Sequence, residues 1–125
     1  MASAKGYKDL IGWQKAIVLV NQVYDATSQF PASEIYGLTN QIRRCAVSIP
    51  ANIAEGYGRE STNEYAHFVS IALGSATELE TLLLIAKNLK FLADEKYSIV
   101  IGNLQEVLRI LYKLRQSLRA RKKAA

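Results

Sequence analysis

The chain has 125 residues and a formal net charge of +5, with 50% of its residues apolar and 22% charged. This length and composition suit one globular domain and exclude a disordered chain. The single cysteine excludes an intramolecular disulfide. No apolar run approaches the roughly 18 residues of a membrane span, so we expect a cytoplasmic protein that does not associate with membranes.

Apolar side chains at helical spacing predict a first helix over about residues 9–29. Asp9 is placed to act as the N-cap of this helix or as an acidic residue in its first turn. Phe30-Pro31 ends it, because the residue before a proline is pushed out of the α region. The predicted buried stripe consists of Leu10, Trp13, Ile17, Val20, Tyr24 and Thr27.

A second helix is predicted over about residues 34–57. Its apolar stripe consists of Ile35, Leu38, Ile42, Ala46, Ile49, Ile53 and Tyr57. The stripe continues past Pro50, so this proline should kink the helix without ending it. Gly56 and Gly58 mark the end of the helix.

The third and fourth helices are predicted over about residues 62–89 and 94–119. Ser61 and Glu64 have the spacing of a capping box, in which each side chain binds a free N–H group at the start of the helix. All connections are short, so consecutive helices should pack as antiparallel neighbours. The sequence therefore predicts an all-α chain, with residues 1–125 forming a single domain folded as an antiparallel up-down-up-down four-helix bundle.

The third predicted helix is apolar nearly all round, and its remaining face is a row of small residues. The row consists of Ser70, Gly74, Thr77 and Thr81. Such a row permits close approach of another helix, either from the same bundle or from a second chain. Gly74 costs the helix about 1 kcal/mol relative to alanine, which close packing would offset. Because Leu73, Leu84 and Ile85 also lie off the main stripe, we expect a homo-oligomer.

Basic residues are concentrated at the C-terminal end, where the chain has seven of them after Glu106 and no acidic residue. They are Arg109, Lys113, Arg115, Arg119, Arg121, Lys122 and Lys123. This concentration of positive charge suits a nucleic acid or another acidic surface. It also complements the helix dipole without any partner, so the pattern alone leaves both interpretations open.

A polar seam follows one face of the second predicted helix. It consists of Gln41, Arg43, Arg44, Ser48, Asn52, Glu55 and Arg59, with Ser75 and Glu78 of the third helix as candidate partners. Serine and asparagine are weak helix formers that solubility alone does not require. We expect hydrogen bonds between helices or between subunits here. A ligand-binding surface and a plain solvated face are the alternatives.

No group of residues predicts catalysis. The chain has one histidine, His67, and therefore no pair of histidines at metal-binding spacing. It also has no phosphate-binding glycine loop. Cys45 lies beside Arg43 and Arg44, a basic setting that would lower a thiol pKa, but a structural cysteine is the better interpretation. We therefore expect no enzymatic activity, no catalytic or metal-binding residues and no cofactor.

Several strings in the sequence resemble one bacterial family. The most specific is NIAEGYGR at residues 52–59, which follows QIRR at residues 41–44 and precedes IALGS at residues 71–75. With these strings, residues 7–118 closely resemble the four-helix-bundle proteins encoded within intervening sequences of bacterial 23S ribosomal RNA genes. The resemblance implies an all-α bundle, and the biochemical role of the family is essentially unassigned.

The same resemblance bears on assembly and partners. The family is similar in architecture to accessory proteins of diversity-generating retroelements, which form pentameric barrels with a basic surface and bind nucleic acid and a reverse transcriptase. It thus implies a homo-oligomer, a pentamer by analogy. It favours a non-enzymatic protein that binds nucleic acid, RNA in particular, through the basic C-terminal segment. A scaffold that binds a partner protein without nucleic acid is the alternative.

Overall fold

The computed structural model describes the chain from residue 6 to residue 124, with side chains described through residue 121. Its helices are α1 (Ile11–Thr27), α2 (Leu38–Tyr57), α3 (Thr62–Asn88) and α4 (Asp94–Ala124). Short 3-10 turns at Tyr7–Asp9 and Ala32–Glu34 precede α1 and α2. The described residues contain no strand, and the predicted all-α class is confirmed. The fourth helix continues five residues beyond the predicted end at Arg119.

Neighbouring helices make their contacts in reverse order along the chain. Between α2 and α3, Ser48 binds Ser75, and the later Gly56 lies against the earlier Phe68. The same reversal relates α4 to both α1 and α3, in the pairs Lys15–Glu106, Gln22–Asn103, Ser70–Arg115 and Lys87–Tyr97. The four helices therefore alternate in direction around the bundle.

The core lies between all four helices and is built from aliphatic side chains. Those that are fully buried include Leu19, Ile42, Ile49, Ile53, Leu79, Leu83, Leu104, Leu111 and Leu118. Removing a side chain of this size from water contributes about 1.5–3 kcal/mol. Pro50 is itself buried, and α2 continues past it to Tyr57 as predicted.

The stripe predicted for the first helix was confirmed in part, because Thr27 is buried and Leu10, Trp13 and Val20 pack against the core. The structure buries Leu19 and Val23, together with small residues such as Gly12, whereas Tyr24 stays 44% exposed. A Cβ atom added to Gly12 would lie 3.1 Å from the Ile110 side chain, so α1 approaches α4 closely at this glycine. The prediction favoured the largest apolar residues, but close helix packing turned the small residues inward.

The third helix begins at its predicted cap and is the most apolar of the four. The Ser61 hydroxyl accepts a hydrogen bond from the Glu64 N–H at 3.0 Å. By length and composition α3 is apolar enough to cross a membrane. The core helix of a soluble protein meets the same criteria. α3 packs against α2 and α4 and buries nine of its residues, from Ala66 to Ala86.

Candidate functional site

Hydrogen bonds join the middle of α2 to the middle of α3. The hydroxyl oxygens of Ser48 and Ser75 lie 2.9 Å apart. The Asn52 amide donates to the Ser48 carbonyl at 2.8 Å and to the Ser48 hydroxyl at 2.9 Å. The Cys45 thiol donates to the Ser75 carbonyl at 2.9 Å. Part of the polar seam therefore lies between two helices of one chain, where each half-buried polar group finds a partner.

The Cys45 thiol is buried and close to the Glu78 carboxylate. The pKa of the thiol is raised from 9.0 to about 12. Burial is the largest cause, and the negative charge and hydrogen bonding of Glu78 also raise the pKa. This is opposite to the lowering that the neighbouring arginines would cause. A neutral, buried thiol is a poor nucleophile, so Cys45 acts as a packing residue with one weak hydrogen bond.

A polar groove opens beside this network, with a volume of about 510 Å³. We call it the α2–α3 groove. Its lining consists of the seam residues Gln41, Arg44, Ser48, Ser75 and Glu78, with Tyr36, Gly37, Asn40 and Cys45. The groove thus contains one cation, one anion, two amides and one aromatic ring. Pockets of this size and donor content accommodate small molecules.

The structure does not bring the remaining seam residues into the groove. Arg43 lies on the other side of α2, where its Nε–H donates to the Thr27 hydroxyl at 2.8 Å. Its guanidinium also stacks over the Tyr24 ring, 4.7 Å from the centroid. Glu55 and Arg59 form an exposed ion pair with an N–O distance of 2.6 Å near the end of α2. The predicted seam is therefore three separate features.

The C-terminal half of α4 carries its basic residues on exposed turns of the helix. We define the basic strip as Arg109, Lys113, Arg115 and Arg119. Within residues 6–121 none of the four forms a salt bridge, because both ion pairs in that range involve other residues. The predicted Lys122 and Lys123 lie outside the described side chains. The strip is therefore a surface of positive charge that no carboxylate of the described chain neutralises.

Two members of the strip are held against α3. Arg115 donates to the Ser70 hydroxyl at 3.2 Å, and its guanidinium lies 5.3 Å from the Tyr112 ring centroid. Arg119 lines a cavity of about 310 Å³ with His67 and Ser70 of α3. The contact with Ser70 holds the Arg115 side chain against α3, which reduces the entropy that this side chain loses when a ligand binds.

The fifth described basic residue of this region, Arg121, lies close enough to Tyr65 of α3 to act on its phenol. Burial raises the pKa of the Tyr65 phenol, the nearby Tyr57 raises it as well, and the positive charge of Arg121 opposes both. The Tyr65 hydroxyl is buried, and no hydrogen-bond partner for it occurs among the described residues.

The sequence model of the 23S rRNA-intervening sequence protein family matches residues 8–113. The chain belongs to this family. A solved structure with the same fold is a protein of unknown function from the S23 ribosomal protein family of Bacteroides thetaiotaomicron. The two are 21% identical with a TM-score of 0.79, over 84% of this chain and 98% of that one. A comparison with curated proteins finds no match.

In this 23S rRNA-intervening sequence protein, the row of small residues on α3 faces outward. A Cβ atom added to Gly74 would meet no atom within 4 Å. Around it Ile71, Leu84 and Ile85 are 38%, 44% and 41% exposed. Ser70 at one end of the row binds Arg115 of α4, whereas the row is open around Gly74. We call this surface the outer face of α3.

Among the residues of the α2–α3 groove that sequence reasoning missed are the side chains of Tyr36 and Asn40. Both precede the second turn of α2, where Ile35 and Leu38 suggested an apolar helix start. The spacing of Gly37, Gln41 and Arg44 could have revealed them, because it extends the polar face of α2 by one turn toward the N-terminus. Among the described side chains, no three His, Cys, Asp or Glu residues converge to hold a metal ion.

Proposed function

We propose that this protein is a non-enzymatic homo-oligomer that binds RNA through the basic strip. The observation that carries the proposal is the exposure of unneutralised cations on α4. Arg109, Lys113 and Arg119 are exposed, and none of them forms a salt bridge within residues 6–121. A solvated face normally intersperses charges of both signs, whereas a polyanion-binding surface carries one sign.

The spacing of the strip fits an extended polyanion better than a single small anion. With a rise of about 1.5 Å per residue, Arg109 and Lys113 are about 6 Å apart along the helix axis, and Lys113 and Arg119 about 9 Å. Each cation would therefore meet a different phosphate of a nucleic acid strand. Tyr112 lies on the same stretch and is 51% exposed, which offers a partial stacking surface for a base.

The family relationship favours RNA as the polyanion. The family is described by an intervening sequence of 23S rRNA, and the Bacteroides relative is assigned to a ribosomal protein family. Both descriptions connect relatives of this chain with ribosomal RNA. They support RNA over DNA or an acidic protein as the ligand of the strip.

The outer face of α3 supports the proposal of a homo-oligomer. Exposed aliphatic residues surround Gly74 on this face, where a second helix could approach closely. The hydroxyls of Thr77 and Thr81 donate to carbonyls of α3 itself, at 3.0 and 3.2 Å. Burying these two hydroxyls therefore leaves their protons hydrogen-bonded, while the aliphatic side chains are removed from water. An oligomer would also multiply the charge of the strip.

The test of RNA binding is the salt dependence of affinity for a labelled single-stranded RNA, measured by fluorescence anisotropy. The triple variant Arg109→Gln, Lys113→Gln, Arg119→Gln should weaken binding and reduce the slope of log K against log salt by about 2, at about 0.7 per phosphate contact. The matched control is Lys87→Gln, Lys90→Gln, Lys96→Gln, which removes the same charge at the other end of the bundle.

The two variants separate a local site from a general charge effect. The control should keep the slope of the unmodified protein. Equal losses of RNA affinity in both variants would show that binding depends only on the net charge of the protein. Absence of RNA binding at low salt would overturn the proposal and leave the protein-interaction scaffold as the better account.

A further inference from the structure

The α2–α3 groove contains two opposite charges that do not neutralise each other. Arg44 and Glu78 both line the groove and both are exposed. Neither forms a salt bridge within the described part of the chain. Oppositely charged side chains around one cavity are complementary to a ligand that carries both an anionic group and hydrogen-bond donors.

An aromatic ring lies beside these charges with almost no contact to the protein. Tyr36 is 92% exposed, although tyrosine normally buries most of its ring. In the described chain no other ring or cation stacks on it. A flat ring at the edge of a polar groove is the arrangement on which a single-stranded base stacks.

We propose that the α2–α3 groove binds one guanine nucleotide of single-stranded RNA, an inference that rests on the proposed RNA-binding function. The base stacks on Tyr36, its N1–H and 2-amino groups donate to the Glu78 carboxylate, and its phosphate pairs with Arg44. The side-chain amides of Asn40 and Gln41 complete the polar lining. The volume of about 510 Å³ lies within the range of small-ligand sites.

The Glu78 carboxylate selects guanine through the number of hydrogen-bond donors on the pairing edge of the base. An ionised carboxylate only accepts hydrogen bonds, and it can accept two in parallel. Guanine presents two adjacent donors on its pairing edge. Adenine and cytosine present an amino group beside an acceptor nitrogen, and uracil presents one N–H between two carbonyls. The three other bases would therefore each set an acceptor against Glu78.

The test is isothermal titration calorimetry of the full chain with guanosine, 5′-GMP, 5′-AMP and 5′-CMP. We expect 5′-GMP to bind at least about tenfold more tightly than the other nucleotides, the value of one charged hydrogen bond. Glu78→Gln should remove this preference, and the neighbouring Glu80→Gln, which lies outside the groove, should retain it. Arg44→Gln should weaken binding of 5′-GMP but not of guanosine.

Two further results decide between this inference and the proposed function. Tyr36→Leu should weaken the binding of all nucleotides alike, because it removes the stacking interaction but no hydrogen bond to the base. The triple variant of the basic strip should leave guanosine binding unchanged. If RNA binding depends on the strip but 5′-GMP binds no better than 5′-CMP, the groove proposal fails alone. A groove filled by a second copy of the chain would also exclude 5′-GMP and overturn it.

Discussion

Ser48 and Ser75 place their hydroxyl oxygens 2.9 Å apart, and this hydrogen bond joins the midpoints of α2 and α3. Both serines are half-buried, so water competes weakly for them. The Asn52 amide also donates to the Ser48 hydroxyl, which allows Ser48 to donate its own proton to Ser75. The pair is thus one step of a chain of hydrogen bonds beneath the α2–α3 groove.

Ser75→Ala should lower the free energy of unfolding by about 1 kcal/mol, because the Ser48 hydroxyl loses its acceptor in a half-buried site. Urea denaturation followed by circular dichroism measures the loss. A double-mutant cycle with Ser48→Ala should give a coupling energy of about 0.5 kcal/mol or more. Strictly additive losses would show that the two hydroxyls do not interact.

α2 approaches α3 closely at Gly56. A Cβ atom added there would lie 2.7 Å from the Cβ of Phe68 and 3.3 Å from the Tyr65 carbonyl. Neither atom is the end of a flexible side chain, so the helices would have to separate. Gly56→Ala should therefore destabilise the protein by about 1–3 kcal/mol despite the better helix propensity of alanine.

The matched control for Gly56 is Gly102, which also lies inside a helix. A Cβ atom on Gly102 would meet nothing within 4 Å. Gly102→Ala should therefore stabilise the protein by about 0.5–1 kcal/mol through helix propensity alone. Thermal unfolding of both variants measures these stability changes, which should have opposite signs. A gain of stability in Gly56→Ala would mean that the two helices are less closely packed than the structure shows.

Sequence patterns predicted the number of helices because the periodicity of apolar residues and the positions of proline, glycine and capping residues are local signals. The interaction partners of neighbouring side chains were not predictable in the same way. Arg43 and Arg44 are adjacent, yet one binds Thr27 of α1 and the other lines the α2–α3 groove. Which partner each arginine meets depends on helices that are distant in sequence.

The same limit explains why the packing of α1 was predicted only in part and that of the small residues on α3 was left open. Small residues such as Gly12 and Gly74 carry little hydropathy signal, so the sequence does not show whether a close neighbour exists. The structure gives Gly12 a neighbour in α4 and leaves Gly74 open. Tyr36 was missed because an aromatic residue at a helix start usually enters the core, whereas here it projects into solvent.

Self-association through the outer face of α3 can be tested with a matched pair of charge substitutions. Ile85 and Val47 are 41% and 42% exposed, but they lie on α3 and α2. Ile85→Lys should dissociate the oligomer, because a buried unpaired ammonium costs several kcal/mol. Val47→Lys should leave the mass of the oligomer in solution unchanged. Sedimentation velocity measures both, and a monomeric unmodified protein would contradict the proposal.

The pKa of Cys45, raised mainly by burial from 9.0 to about 12, makes stability depend on pH in the alkaline range. The unfolded chain releases the thiol proton above pH 9, while the folded chain retains it up to about pH 12. The stabilisation is therefore fully present below pH 9 and is lost as the pH rises through that window. Between pH 8 and pH 10 the unmodified protein should lose about 1 kcal/mol more unfolding free energy than Cys45→Ala. Urea titrations at both pH values give the difference, in which the tyrosine contributions cancel, and parallel losses in the two proteins would show that the thiol pKa is not raised.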